Sequence, residues 1–325
     1  MTKERVEGAL DQALEGLSES MAAGFPVYRG KVRDVVIGGK SVFMVASDRL
    51  SAFDRVLSTV PFKGEILSRI AEFWFERTKD IIANHVLAGP KELGCGRAML
   101  CRKVEMLPLE VVVRGYLTGA AWRNYREGVS ISGIRLPEGL SYNEKFPVPL
   151  VTPFTKEKAG HDLPIARDEI FARGLVEPKV YAEIERVAVA LFRRGQEIAA
   201  QGGLILVDAK YEFGQVGGHL VLADELHTPD SSRFWWAEGY ESRLYAGDPQ
   251  KELDKEPFRR WLLDRGFSGE GHPPAIPNSM RVETALRYIQ TFEAITGGFF
   301  ETEGLDSQSE AALLARSIKE RLSID

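Results

Sequence analysis

Asp208, Lys210 and Glu212 alternate along the chain directly after an apolar run, Leu204 to Val207. In an extended strand alternate side chains share a face, so these three point the same way. Gly214, Gly217 and Gly218 then predict a turn, and a second apolar run, His219 to Ala223, ends at Asp224 and Glu225. The pattern is a hairpin whose two strands both change from apolar to acidic at the same end. Arg233 follows in the loop beyond. Carboxylates from two strands beside a lysine and an arginine can hold Mg²⁺ and a phosphorylated substrate. The competing reading is a surface ion-pair ladder, worth only about 0.2–1 kcal/mol per pair. One condition attaches to the metal reading. Asp224 shares the face of Glu212 only if paired residue numbers sum to an even number; an odd register points it away.

Other elements must position these groups. Val180, Ile184, Val187, Leu191 and Ile198 predict a helix over 178–201, stopped by Gly202-Gly203, that delivers the chain to the first strand. Residues 97–114 read as two strands broken near Pro108, where the chain passes from a first lobe (1–107) to a second (108–325). In RGYLTGAAWRNY, 114–125, a strand ends at Arg114 and a helix begins near Ala120, an arrangement that suits a phosphate. Upstream, VYRGKVRDVVIGGKSVFMVASD (27–48) predicts a hairpin turning at Gly38-Gly39, with Arg29, Lys31 and Arg33 on one strand face. That face is either a solvated basic edge or a glycine-containing flap over phosphates. No GxxxxGK[ST] loop occurs. Helices are expected over 5–20, 65–82, 280–295 and 307–323, and residues 248–264 read as a loop entering a helix. Residues 47–64 and the proline-rich 132–164 are expected to be loops, with His161 a surface group.

The chain has 325 residues, 44% hydrophobic and 27% charged, values ordinary for a globular protein. A net charge of −5 argues against a general nucleic-acid binder, so any basic site is local. The two cysteines, Cys95 and Cys101, suggest no disulfide scaffold and fit a cytoplasmic protein. No apolar run approaches the roughly 18 residues of a membrane span, and the polar N-terminus is not a signal peptide. There is neither a Cys/His zinc pattern nor a G-x-S-x-G elbow.

Seven stretches together resemble the phosphoribosylaminoimidazole-succinocarboxamide synthase (SAICAR synthetase) family. They are YRGKVRD (28–34), SDRLSAFD (47–54), PFKGEILSRIAEFWFE (61–76), VVVRGYLTG (111–119), VDAKYEFG (207–214), ADELHTPDSSRFW (223–235) and DKEPFRRWL (254–262). Length and C-terminal helices look like the longer, fungal-type members. The resemblance implies an α+β, two-lobed fold related to ATP-grasp enzymes. It also implies a ligase of purine biosynthesis that uses ATP, carboxyaminoimidazole ribonucleotide (CAIR) and L-aspartate, through an acyl phosphate, with Mg²⁺. Gly30, Lys31 and Arg33 would cover the ATP phosphates, and the backbone from Arg102 through Lys103 to Val104 would meet adenine. Glu212 and Asp224 would hold Mg²⁺. Arg114, Asp208, Lys210 and Arg233 would bind the imidazole ribonucleotide, with Asp208, Lys210 and Arg233 nearest the chemistry. Lys255 and Arg259 would reach its phosphate, and Ser51 and Asp54 would lie by the imidazole or aspartate. The resemblance implies a monomer or small homo-oligomer. Ala120 stands where relatives often carry a serine able to meet the ribonucleotide phosphate, so no role is assigned there. Two rivals remain at this point. A small-molecule kinase would need a general base beside an alcohol, but no HRD-like loop or DFG occurs. A nucleotide-binding regulator would have no need of both acids.

Overall fold

The computed structural model describes residues 1–156, 162–304 and 306–323. The chain forms two compact units, Met1–Phe75 with His85–Lys103 and Asp254–Asp325, and Glu76–Asn84 with Val104–Leu253.

The first unit opens with α1 (Lys3–Gly8). Its antiparallel sheet contains β1 (Val27–Arg29), β2 (Arg33–Ile37) and β3 (Ser41–Ala46). A separate hairpin follows, β4 (Arg49–Ala52) and β5 (Arg55–Thr59), then α2 (Lys63–Thr78), β6 (Val86–Ala88), α3 (Pro90–Leu93) and β7 (Ala98–Arg102). The sheet order is β1-β2-β3-β7-β6.

Three expectations change here. The predicted helix 5–20 ends at Gly8, because the Leu14 and Leu17 N–H groups donate to Asp48 and Asp34 at 2.7 Å instead of continuing a helical ladder. Arg29, Lys31 and Arg33 do not share one strand face. The chain reverses between them, and Arg29 pairs with Asp34 across β1 and β2. The expected loop 47–64 contains the β4–β5 hairpin, whose tip residues Phe53 and Asp54 both adopt positive φ, 51° and 60°. Tight hairpin turns need such dihedrals but usually signal them with Asn or Gly.

The second unit contains β8 (Glu105–Tyr116), α4 (Gly119–Arg126), β9 (Lys145–Thr155), α5 (Arg167–Ala172) and α6 (Pro178–Gln201). After these come β10 (Leu204–Val216), β11 (His219–Ala223), β12 (Ser232–Trp236) and α7 (Tyr240–Ala246). The sheet order is β11-β10-β8-β9, and β12 also pairs with β10. β10 is therefore central: β8 flanks one side along most of its length, while β12 and β11 share the other. The helix predicted over 178–201 is α6, which packs on β10 and β8.

Residues 145–155, expected to be irregular, form β9 despite Pro147, Pro149 and Pro153. The strand lies at the end of the sheet path, where proline is tolerated. The Pro153 carbonyl accepts from Ile165 and the Thr155 N–H donates to Leu163, so both positions face away from β8. The missing Pro153 N–H therefore takes nothing from the β8 ladder. Pro108 breaks no strand either. It lies inside β8, between Met106 and Glu110, where the pairing with β10 shifts register. His161 lies outside the described residues.

The chain then supplies α8 (Glu256–Leu263), α9 (Asn278–Thr296) and α10 (Ser307–Leu322) to the first unit. The sequence division at 107/108 assigns 254–325 to the second lobe. In the structure the crossing falls between Lys103 and Val104, and the C-terminal helices complete the first unit's core. Leu314, Ile318 and Leu322 of α10 are buried with Leu17, Val36, Phe43 and Val45. Each such side chain stabilises its unit by about 1.5–3 kcal/mol. Helical periodicity identified the apolar faces but not the surface they would cover. The fold is α+β with C-terminal helices.

Candidate active site

The second unit carries a polar face on the central sheet, built as successive rungs. Arg114 of β8 and Arg233 of β12 both pair with Asp208 of β10. The Arg233 guanidinium donates to Asp208 at 2.5 Å, and Arg114 lies 3.5 Å from the same carboxylate. Arg114 also donates to Thr152 of β9, at 3.1 Å. Burial lowers Arg114 to about 10, with Arg233 adding to the effect and Asp208 opposing it. Two guanidiniums on one carboxylate leave this rung net positive, as an anionic substrate requires.

Two rungs along, Glu212 pairs with Glu110 of β8, and Lys210 lies between that rung and Asp208. The Lys210 ammonium is 2.5 Å from Glu212, 3.2 Å from Glu110 and 3.8 Å from Asp224. Lys156 forms a second ion pair with Glu212. Burial opposes the charge on Lys210, but Glu212, Asp224 and Glu110 outweigh it and hold the ammonium well above the usual lysine range. Burial likewise pushes Glu212 up, but Lys210 and Lys156 overcome it and its carboxyl falls to about 2. Burial raises the Glu110 carboxyl, against the attraction of Lys210. The donor set is hard oxygen, three carboxylates against two ammoniums, so the cluster keeps a net negative charge that a divalent cation could share with phosphate.

The register condition fails as stated. Glu212 pairs with Ala223 and Phe213 with Leu222, sums that are odd. A regular pleat would aim Asp224 away from Glu212. Asp224 instead lies just beyond β11 with φ 68°, and this left-handed residue brings its carboxylate back to the Lys210 side.

Beyond the arginine rung, α4 begins where expected. Its first residue, Gly119, has φ 55°, and a Cβ there would stand 2.6 Å from Arg233. The guanidinium thus lies against the start of the helix, and any larger residue there would be strained in its backbone and would push the guanidinium aside. The opposite face of β10 is apolar. Ala209, Tyr211 and Phe213 are buried, and the Tyr211 hydroxyl and His227 Nε2 are 2.7 Å apart. His227 is fully buried with φ 46°, and burial lowers it to about 3.

The first unit holds the remaining predicted residues. Gly30 N–H donates to the Arg33 carbonyl at 2.8 Å, closing a tight turn; a Cβ on Gly30 would lie 2.9 Å from that oxygen. Lys31 pairs with Asp54 at the tip of the β4–β5 hairpin. Arg259 of α8 lies over the Phe53 ring at 5.1 Å and pairs with Glu256. Lys255 immediately precedes α8 without a side-chain cap, and Ser51 is buried in β4. Arg102 and Lys103 are exposed at the end of β7, where their N–H groups donate to His85 and Lys40. Lys255 and Arg259 therefore belong to a different unit from Asp208 and Lys210.

Sequence reasoning missed Glu110, Thr152 and Lys156. Glu110 was legible, since it alternates with Val112 and Arg114 on one strand. Thr152 and Lys156 were not, because the prolines around them suggested a loop.

The SAICAR synthetase family model matches residues 26–274. The phosphoribosylaminoimidazole-succinocarboxamide synthase of Bacteroides fragilis is 49% identical over 290 residues, covering 87% of this chain and 91% of that one. The enzyme of the same name from Legionella pneumophila is 43% identical over 281 residues, covering 84% of this chain and 88% of that one. Among solved structures, Saccharomyces cerevisiae SAICAR synthase complexed with SAICAR has a TM-score of 0.76 at 30% identity, covering 89% of this chain and 99% of that one. A SAICAR synthetase in complex with ADP has a TM-score of 0.64 at 26% identity, covering 85% of this chain and 100% of that one. With relatives matched over nearly their full length and a site rich in carboxylates and guanidiniums, the chain belongs to the SAICAR synthetase family.

Proposed function

We propose a division of labour along the polar sheet face, with the carboxylates around Lys210 serving metal and nucleotide and the Arg114–Asp208–Arg233 rung serving the imidazole substrate. The reaction itself follows from the family. The chain is an ATP-dependent ligase of purine biosynthesis that joins L-aspartate to the carboxylate of CAIR, giving SAICAR, ADP and phosphate. One observation carries the division: three carboxylates and Lys210 gather two rungs from a carboxylate flanked by two arginines.

The chemistry has two steps. A carboxylate oxygen of CAIR attacks the γ-phosphorus, and ADP leaves. The aspartate amine then attacks the acyl carbon, phosphate leaves with the carbon–oxygen bond electrons, and the nitrogen gives up a proton. Little covalent work falls to the protein, so it acts by positioning anions and stabilising charge. Arg114, Lys210 and Arg233 would bind the ribonucleotide and its carboxylate, with Asp208 orienting both guanidiniums. Gly30, Lys31 and Arg33 would cover the ATP phosphates, and the backbone from Arg102 to Val104 would meet adenine. Ser51 and Asp54 would lie near imidazole or aspartate, with Lys255 and Arg259 as further phosphate contacts. Glu212 and Asp224, joined by Glu110, would hold Mg²⁺, which supplies charge neutralisation on the phosphoryl oxygens.

No described helix is long and apolar enough to cross a membrane. Cys95 and Cys101 are separate buried thiols, which supports a reducing, cytoplasmic setting. The net charge supports small-molecule partners rather than nucleic acid, with the protein acting as a monomer or small homo-oligomer. The test is ADP release assayed with ATP, CAIR and L-aspartate, each omitted in turn. Sustained ADP release without CAIR would favour an ATPase, and sustained multiple turnover without aspartate a kinase; a single ADP per site without aspartate is expected from the first step.

A further inference from the structure

Arg49 stands in the stretch SDRLSAFD but has no place in the reading above. Its guanidinium is buried and held by four acceptors. Nη2 donates to Asp34 at 2.7 Å and to the Gly30 carbonyl at 2.9 Å. Nε donates to the Lys31 carbonyl at 3.3 Å, and Nη1 donates to the Glu15 carbonyl. Asp34 is fully buried, and its other oxygen accepts from Leu17 N–H at 2.7 Å. Next along the turn, the Val32 carbonyl accepts from Ser47 through both its N–H and its hydroxyl.

The backbone consequence follows from peptide geometry. In a trans peptide the carbonyl and the next residue's N–H point in opposite directions. Drawing the Gly30 and Lys31 carbonyls onto Arg49 therefore turns the Lys31 and Val32 N–H groups away from it. Neither N–H donates to another group among the described residues. Two successive outward N–H groups form a small anion cradle. Lysine could not replace Arg49, because a single ammonium cannot serve two turn carbonyls, Glu15 and Asp34 in this planar array.

We infer that Arg49 is the positioning residue of the phosphate-covering turn, holding it from beneath so that the Lys31 and Val32 N–H groups receive a nucleotide phosphate. The inference rests on the reading that residues 30–33 cover the ATP phosphates. Its test uses the full chain, with three single variants, Arg49→Lys, Arg49→Met and Lys31→Ala, and the double variant Arg49→Met with Asp34→Asn. The double variant removes the buried charge left by Arg49→Met, so folding recovers while the carbonyl anchors stay lost. For Arg49→Lys and the double variant, KM for ATP is expected to rise about tenfold, with KM for CAIR and aspartate nearly unchanged. Amide exchange of residues 28–34 is expected to accelerate in the same two variants. An ATP KM within about twofold of the parent in both, or unchanged exchange in that segment, overturns the inference. Lys31→Ala separates the two ideas. If it raises KM for ATP while the Arg49 variants do not, the turn covers the phosphates and Arg49 is not its positioning residue. If no variant raises KM for ATP, both readings fall.

Discussion

Asp224 reaches the Lys210 ammonium, 3.8 Å away, from a hairpin register that should have pointed it elsewhere. The correction is made by one residue in a left-handed conformation at the end of β11. Asp is among the few residue types that adopt this conformation readily. Side-chain type and backbone geometry thus coincide at a position proposed to hold the metal.

Asp224→Asn is expected to keep the fold, because Asn tolerates the same dihedrals, and to lower turnover about 100-fold or more. Glu212→Gln is expected to behave alike. Circular dichroism would check the fold and steady-state assays the rate. Near-parental rates at saturating Mg²⁺-ATP would remove these residues from the metal set.

Lys210→Ala is expected to weaken CAIR binding more than ATP binding. Calorimetric titration of each substrate decides it. If ATP affinity suffers more, Lys210 serves the nucleotide and the carboxylates that surround it.

Arg114→Met leaves Asp208 buried with one guanidinium instead of two. Arg233 still holds that carboxylate, so the cost is expected to be that of one bond to a charged group, about 1.5–3 kcal/mol, rather than that of an unpaired buried charge. Thr152→Val, which removes a hydroxyl bonded to Arg114 and to the Val112 carbonyl, is expected to cost about 1 kcal/mol. Urea midpoints for the two variants should fall in that order.

His227 gives a pH signature. Its folded value is about 3 against the ordinary 6.5, because burial disfavours the charged ring. Across that window the unfolded chain takes up a proton that the folded chain refuses. Stability should therefore fall as pH falls below 6.5, by about 1.4 kcal/mol per unit from this group alone. His227→Gln should flatten that part of the stability curve, at the cost of the Tyr211 contact. Parallel curves for the two proteins would argue against a buried neutral ring.

The polar face of β10 was largely legible because it follows from period-two spacing. Asp208, Lys210 and Glu212 needed only a strand, and the strand needed only its apolar run. What stayed hidden depended on tertiary partners. The β4–β5 hairpin turns through Phe53 and Asp54, which carry no local turn signal. The N-terminal helix stops because Asp34 and Asp48, distant in sequence, take its N–H groups. The C-terminal helices announced their apolar faces, yet only the packed core shows that they complete the first unit. The Arg49 contacts join segments 15, 30–31 and 34, and no spacing rule reaches across them.

The prolines of β9 bear on how the protein survives at high concentration. The strand ends its sheet path, and an outer strand normally offers a row of N–H donors to any extended segment that drifts past. Residues 163–165 cover that edge beside Pro153, and Pro147 and Pro149 delete two donors farther along it. The feature that disguised a strand as a loop thus also makes its rim a poor template for strand addition by another chain.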